Sequence, residues 1–593
     1  MSINYRFIEK TNLKYERRIK VLLGVILFIF LVILIRVGWL QIVEGEKFLR
    51  LSQTARLRLI PLANPRGLIV DRNERVIADN TASFSIGVIP ESLENPEKTL
   101  LKLKSIFPDI DLRKAEVKIK KVKNPFRPVV LKEGIDISKV TYIEERGEEF
   151  PSVVILSQPV RSYPYGKLLS HIVGYLGEVN KNELKNLSFL GVEAGDLVGK
   201  MGIEEVYNSY LQGEKGGRQV EVDVYGRVLK TIFQKDPLPG DTVYLTIDVN
   251  IQKIAREEMG DRKGVVIIAN PYTGEILSML SLPSFDPNLF ARGISDEKWL
   301  ELSRNPENPL ENRAVRGEYP PASTFKIVLV TAALETGKAT PSTKFYCPGY
   351  YKIGKRIFKC WKKEGHGWLN LKDALIHSCD VYFYQLGLKL GVKNIIHYAR
   401  LFGLGKPTGI DLGSEKRGFL PTPEWKEKLY KEVWYPGDTA NLSIGQGYIL
   451  VTPIQMLGLI SAVANGGYLI RPHLVKKIVD KNGNTIFNFT PEKVKKIPIS
   501  KSTLEFLHEA LAGVVKRGTG WRAANKVVKI AGKTGTAQLA GDKNPHNWFI
   551  GYAPADNPKL SIVVLVENKE EEISIAPQIA GRILSRIFDN TGK

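Results

Sequence analysis

Hydrophobic and polar positions follow three different patterns along the chain. Val21 to Ile35 (VLLGVILFIFLVILI) is apolar without a break, and apolar character resumes after Arg36 as far as Val43. That makes about 23 residues, or roughly 34 Å of helix, enough to cross a bilayer. Residues 44 to about 240 are polar and mixed, with short β-type runs such as Ser83–Ile89 and Gln219–Val224 and a helical stretch over Val198–Leu211. The turn cluster PLPGD (Pro237–Asp241) closes this region, and a predicted strand (Thr242–Ile247) and helix (Ile251–Met259) open the next. There, Gly264–Ala269 and Glu275–Ser281 are apolar runs joined by NPYTG, the pattern of a hairpin. Val527–Ile530, the pair Trp548–Ala553 and Leu560–Val566 around PADNP, and an amphipathic helix near Pro577–Phe588 end the chain. Between the two groups of strands the sequence is largely helical. Strands at both ends and helices between them predict one antiparallel sheet covered by helices, an α+β arrangement. The organisation read from these patterns is a tail (1–20), a transmembrane anchor (21–43), a spacer or pedestal (44–240) and a second domain (241–593).

Composition and charge narrow the setting. The chain has 593 residues, 43% hydrophobic and 25% charged, which supports two or more folded domains. Its formal charge of +22 predicts an anionic partner such as a membrane surface or a wall polymer. No zinc-finger, helix-turn-helix or RNP spacing is present, so nucleic acid is not the expected partner. Arg6, Lys10, Lys14, Arg17, Arg18 and Lys20 precede the apolar run against Glu9 and Glu16, which predicts a cytoplasmic N-terminus. No small-residue cleavage site follows the run, so it reads as an uncleaved single-pass anchor with the rest of the chain outside the cytoplasm.

Three short motifs carry the candidate chemistry. In PPASTFKIVLVTAAL, Ser323 opens a helix that is apolar nearly all round, and Lys326 lies one turn on. A helix-initial serine with a lysine at i+3 places a hydroxyl near a base and near backbone N–H groups, as acyl transfer needs. The pattern alone is weak, because Ser295–Lys298 repeats it and a bland reading of Ser323 is an N-cap. Lys-Thr-Gly occurs once, at Lys533–Gly535 in AGKTGTAQ, where a strand would offer a cation, a hydroxyl (Thr534) and a small residue (Gly535) to a carboxylate and an approaching backbone. Ser378 and Asp380, in HSCD, lie between two helical runs, Leu371–His377 and Val381–Leu390; the looser Ser-x-Asn type recurs at Ser303–Asn305. Ser-x-x-Lys, Ser-x-Asp and Lys-Thr-Gly in that order are the signature of penicilloyl-serine transferases.

On these motifs, with NPRGLIVDRNERVIA (64–78), KMGIEEVYNSYLQGEKG (200–216), TIDVNIQ, SCDVYFYQ and WYPGDTANLSIGQGY (434–448), the chain resembles the class B penicillin-binding proteins. Asp380, where many relatives have asparagine, fits the elongation branch of that family. The resemblance implies a pedestal of the dimerisation type and a β-lactamase-like transpeptidase domain, with a five-stranded antiparallel sheet flanked by helices. It implies DD-transpeptidation of peptidoglycan stem peptides and inhibition by β-lactams. Ser323 is then the nucleophile and Lys326 its base, with a proton made labile by burial and by Lys533. Ser378 and Asp380 position Lys326 and relay protons, Lys533 and Thr534 hold the terminal carboxylate, and the N–H groups of Ser323 and Thr536 form the oxyanion hole. A RodA-type glycosyltransferase and an MreC-type regulator are the partners the resemblance implies, at the cytoplasmic (inner) membrane. A DD-carboxypeptidase or β-lactamase, and a non-catalytic β-lactam-binding scaffold or sensor, are the competing readings.

The three cysteines fall within one short stretch, with His366 between the second and third. Cys347, Cys360, His366 and Cys379 would together make a tetrahedral Cys3His zinc site. A Cys347–Cys360 disulfide with Cys379 buried is the alternative. The family resemblance implies a zinc in this region.

Overall fold

The computed structural model of the chain describes residues 5–48, 57–122, 125, 128–150, 152–187, 192–193, 195–222, 228–291, 293–538, 545–567 and 575–590. Contacts divide the chain into two compact units. One takes Met1–Ala63, Phe84–Leu156 and Lys215–Pro237, and the other Asn64–Ser83, Ser157–Glu214 and Leu238–Lys593.

In the first unit the uninterrupted apolar run forms the helix Tyr5–Gly38, continued by a wider turn over Trp39–Val43. Glu16–Val43 is the only helix among the described residues long and apolar enough to cross a membrane, and its apolar side chains are exposed. Of the tail read from the sequence, residues 1–4 lie outside the described residues. The β-type run Gln219–Val224 falls in the strand Gly216–Val222, the middle of a three-stranded antiparallel sheet with Leu57–Leu62 and Val228–Lys235; residues 223 and 224 lie outside the described residues. A small core of Leu100, Leu103, Phe107, Val129, Ile135 and Val140 holds the rest of this unit together.

The second unit corrects one expectation at once. Val198–Leu211 is not one helix: Leu197–Gly199 pairs as a strand with Leu176–Glu178, and helix forms only over Gly202–Val206 and Asn208–Leu211. The cause is Gly199, where a Cβ would lie 1.9 Å from the Glu204 carbonyl oxygen, a close approach no other residue permits. The turn so made buries Glu204 between two arginines drawn from distant segments. Arg66 Nε donates to Oε2 at 2.5 Å and Arg161 Nε to Oε1 at 2.7 Å, while Arg66 Nη2 reaches Asn208 Oδ1 at 2.8 Å. Burial raises the Glu204 pKa, but the two guanidiniums outweigh it and hold the carboxyl below its ordinary value. This is why the 64–78 and 200–216 motifs belong together: each supplies part of one buried ionic cluster, and removing one partner of such a cluster costs about 3–5 kcal/mol.

The main sheet has five antiparallel strands: β1 (Gly264–Ala269), β2 (Ile276–Leu282), β3 (Ala531–Ala537), β4 (His546–Ala553) and β5 (Leu560–Val566), in the spatial order β2-β1-β5-β4-β3. Its interior strands are apolar at successive positions because both faces are covered. Val265, Ile267, Val563 and Leu565 pack on one side and Val266, Ile268, Ile562 and Val564 on the other. Six helices matter for the site: α1 (Lys326–Glu335), α2 (Leu371–Ile376), α3 (Asp380–Leu390), α4 (Pro453–Ala464), α5 (Lys501–Arg517) and α6 (Ile575–Asn590). The apolar α1 and α4 lie in the first layer of core, and α6 in the second. Val527–Ile530 is not a strand, because the Asn525 side chain accepts from the N–H groups of Val527 and Val528 and turns the chain, so the edge strand starts only at Ala531. The stretch between the strand groups is also less helical than the sequence indicates. Lys344–Cys347 pairs with Gly367–Asn370, and Tyr350–Ile353 with Arg356–Lys359, giving two small hairpins just ahead of α2.

Candidate active site

Ser323 sits in a tight turn, Ala322–Phe325, that leads into α1. Everything before it is fastened. Tyr319 exchanges two backbone hydrogen bonds of 2.9 Å with Val451, its hydroxyl donates to Glu567 Oε1 at 2.5 Å, and the Trp548 indole donates to the Pro320 carbonyl at 3.1 Å. Ala322 takes φ of +50°, a left-handed conformation that costs an alanine about 1–2 kcal/mol, and its N–H donates to the Gly445 carbonyl at 2.9 Å. A Cβ at position 445 would lie 2.1 Å from the Ala322 carbonyl oxygen, so the SIGQG glycine is what lets this turn close.

Behind the serine lie two lysines, each 0% exposed. Lys326 Nζ donates to Asp380 Oδ1 at 2.8 Å, to the Ser378 carbonyl at 2.9 Å and to Ser378 Oγ at 3.3 Å. Lys533 Nζ donates to Ser378 Oγ at 2.9 Å and to the Thr534 carbonyl at 3.0 Å. Three donations use all three N–H bonds of an ammonium at Lys326, whereas Lys533 makes two and has a position left for a lone pair. Burial, and then the neighbouring Lys326 charge, push Lys533 well below the ordinary lysine range. Among the described residues no hydrogen bond joins Ser323 to Lys326. Ser378 Oγ stands between the two amines instead, on a residue held at φ of +54°.

The edge strand β3 carries Lys533, Thr534, Gly535 and Thr536, and it packs on the serine turn. A Cβ at Gly535 would come within 3.1 Å of both Pro321 O and Thr324 Cγ2, which explains the small residue there. Thr534 Oγ1 is 2.6 Å from Thr519 Oγ1, a partner at the end of α5 that no motif signals. Ser323, Ser378, Asp380, Thr534 and Thr536 line one groove of about 1290 Å3, so the structure gathers the predicted constellation. The competing Ser-x-x-Lys is not part of it: Ser295 caps the exposed helix Asp296–Ser303 by accepting from Lys298 N.

Cys347, Cys360, His366 and Cys379 also come together, on the two hairpins and at the N-cap of α3. Their donor atoms all lie within 4.8 Å of one another, and this buried cluster could hold a metal ion. The Cys347 and Cys360 sulfurs lie 3.7 and 3.6 Å from His366 Nδ1. A tetrahedral site with bonds of about 2.3 Å to sulfur and about 2.0–2.1 Å to nitrogen has edges of about this length, so the donors fit such an ion. The three thiols are unpaired. A hydrogen bond from Cys379 pulls the Cys360 thiol below its ordinary value, and the same bond pushes Cys379 up. Next to the cluster stands Trp361, which the sequence reading passed over. Its N–H donates to Asp380 Oδ2 at 3.2 Å and its indole N–H to the Ser378 carbonyl at 3.2 Å. The only available signal was its place beside Cys360. The metal-type cluster thus bears directly on the two residues that hold Lys326.

A helix-borne Ser-x-x-Lys facing Lys-Thr-Gly on the edge of a helix-covered antiparallel sheet defines a serine acyl-transferase. The chain belongs to the penicillin-binding proteins: the penicillin binding protein transpeptidase domain matches residues 264–585, and the penicillin-binding protein dimerisation domain matches residues 61–245. Within that family the similarity is to the MrdA type. The chain is 34% identical to the peptidoglycan D,D-transpeptidase MrdA of Acinetobacter baumannii, over 95% of this chain and 86% of that protein. It is 33% identical to MrdA of Escherichia coli, over 93% and 90%. Among solved structures, the complex between penicillin-binding protein PBP2 and MreC from Helicobacter pylori matches with a TM-score of 0.78 at 29% identity, over 90% of this chain and 99% of that one. Pseudomonas aeruginosa PBP2 in complex with WCK 5153 matches with a TM-score of 0.68 at 32% identity, over 90% and 98%.

Proposed function

We infer that this chain is a peptidoglycan D,D-transpeptidase of the elongation type, working through an acyl-enzyme on Ser323. The carrying observation is Ser378 Oγ held between Lys326 and Lys533 at the floor of the groove that Ser323 lines. Lys326 must give up a proton before it can take one. Ser378 Oγ offers the path toward the Lys533 amine, which burial disposes to the neutral form with a lone pair free, and the substrate's terminal carboxylate beside Lys533 then offsets the charge it takes up. Ser323 Oγ then attacks the carbonyl between the two terminal D-alanines and its proton passes to Lys326. The N–H groups of Ser323 and Thr536 receive the oxyanion. Lys533 and Thr534 hold the terminal carboxylate, and Gly535 lets the substrate backbone lie against β3. The C–N bond breaks, the departing D-alanine amine takes the proton, and an acceptor amine resolves the ester. β-Lactams acylate the same serine.

Cys347, Cys360, His366 and Cys379 would hold one zinc ion, whose contribution is structural: it locks the hairpins to the N-cap of α3. Residues 21–43 anchor the chain in the cytoplasmic membrane with residues 1–20 inside, residues 44–240 form the pedestal, and residues 241–593 the transpeptidase domain. An MreC-type regulator and a RodA-type glycosyltransferase fit as partners, since relatives of similar fold are solved with MreC and in a peptidoglycan synthase complex. The test is cross-linking of polymerised strands with release of D-alanine. Wild type should release it and S323A should not; release by S323A would refute the assignment.

A further inference from the structure

The lobe between residues 344 and 368 has a charge pattern that the chemistry above does not use. It carries seven Lys and Arg against one Glu. All seven are exposed, and none forms an ion pair among the described residues. Some cations elsewhere on this unit are paired, as Arg313 is with Glu567 and Lys426 with Asp438, but this lobe gathers seven without such a pairing in a single short stretch. A cluster of unpaired like charges repels itself, so it favours an anionic ligand rather than the fold.

The hairpin in this lobe aims the pattern. Its register sets Tyr350 opposite Lys359 and Lys352 opposite Ile357, and all four are exposed. Tyr351, Ile353 and Phe358 alternate with them and pack inward. Tyr350, Ile357 and Lys359 from the exposed face, followed by Trp361 and Lys363, line the groove that holds Ser323. This wall is fixed: Tyr384 Oη donates to the Lys359 carbonyl at 3.2 Å, and Cys360 N to the Gly349 carbonyl at 2.8 Å. Thr534 and Thr536, on β3, make another part of the lining.

We propose that the exposed face of this hairpin, with Trp361 and Lys363, is the acceptor wall of the groove, binding an acidic, amine-bearing peptide. The proposal rests on the transpeptidase reading, in which β3 holds the donor. The acceptor's carboxylates meet Lys359 and Lys363, with Lys352 beside them on the same exposed hairpin face just outside the lining, and its apolar stems lie on Tyr350, Ile357 and Trp361. Nearby cations disfavour an ammonium, so the acceptor amine arrives in its neutral, nucleophilic form. The amine nitrogen attacks the acyl carbon, the C–O bond to Ser323 breaks, and the proton shed by nitrogen returns to Ser323 Oγ.

The test uses the full chain in detergent, acylated by a thioester donor, with two probes: an amine peptide bearing two free carboxylates and the same peptide with both amidated. The readout is the ratio of aminolysis to hydrolysis, which is independent of how fast the acyl-enzyme forms. Wild type should favour the acidic probe by about fivefold, and the preference should shrink as NaCl rises from about 0.05 to about 0.5 M. K352E/K359E/K363E should abolish it, with K352Q/K359Q/K363Q intermediate. Equal ratios for the two probes in wild type, or an unchanged preference in both variants, would overturn the proposal. So would a variant that keeps the preference but loses binding to phosphatidylglycerol vesicles, which would make the lobe a membrane contact. Failure of the thioester to acylate Ser323, seen before any acceptor is added, would instead remove the transpeptidase reading itself.

Discussion

Ala322 and Ser378 are the two residues of the site whose backbones sit in the left-handed region without being glycine. Each fixes a hydroxyl, one directly and one through its neighbour, and neither conformation could be read from the sequence, because it is imposed by partners far along the chain such as Gly445. The serine and lysines were legible because their types and spacing are the chemistry. The lowered pKa of Lys533 was not, since it depends on the burial of its amine and on the charge beside it in the folded chain. Buried histidines give a prediction with a definite sign. Burial pushes His171 and His473 from 6.5 to about 4, so between those values the unfolded chain binds protons that the folded chain refuses. Stability contributed by each is therefore present above pH 6.5 and lost on acidification, by up to about 3 kcal/mol per histidine at pH 4. Denaturant melts across this range should show the loss, with a shallower slope in H473Q; an equal slope in H473Q would remove His473 from the account.

Hairpins 344–347/367–370 and 350–353/356–359 are short, and each has an exposed face. Two-stranded ribbons of that size are marginal alone, so the lobe needs a cross-link to hold Trp361 against Asp380 and Ser378. The Cys3His cluster supplies the place for one. C379S should lose bound metal and lower the melting temperature together, by roughly 5 °C or more, measured by metal analysis and calorimetry on the same sample. Metal content unchanged by the substitution would reject Cys379 as a ligand. The cysteine spacing made the four donors visible in advance, but the hairpins were hidden because Lys and Gly interrupt their alternation. Val198–Leu211 and Val527–Ile530 misled for a similar reason. Their apolar content suits a regular element, while a glycine at 199 and an asparagine at 525 divert the backbone.

Taken whole, the chain carries a basic stretch and an apolar helix ahead of a helix-covered sheet whose groove gathers three distant motifs. The order of those motifs announced the catalytic fold. The sequence boundary near residue 240 did not show that residues 64–83 and 157–214 pack with the catalytic unit, because the contacts that join them to it, such as Tyr207 Oη donating to Asp411 Oδ2 and Tyr163 N to Asn288 Oδ1, both at 2.9 Å, link segments with no local pattern in common. The central claim is that Ser323 is the nucleophile. Its most direct test is the intact mass of the full chain after benzylpenicillin, followed by peptide mapping. One penicilloyl adduct, carried by the peptide containing Ser323 and absent in S323A, is the predicted result; no adduct, or an adduct on another residue, would contradict it.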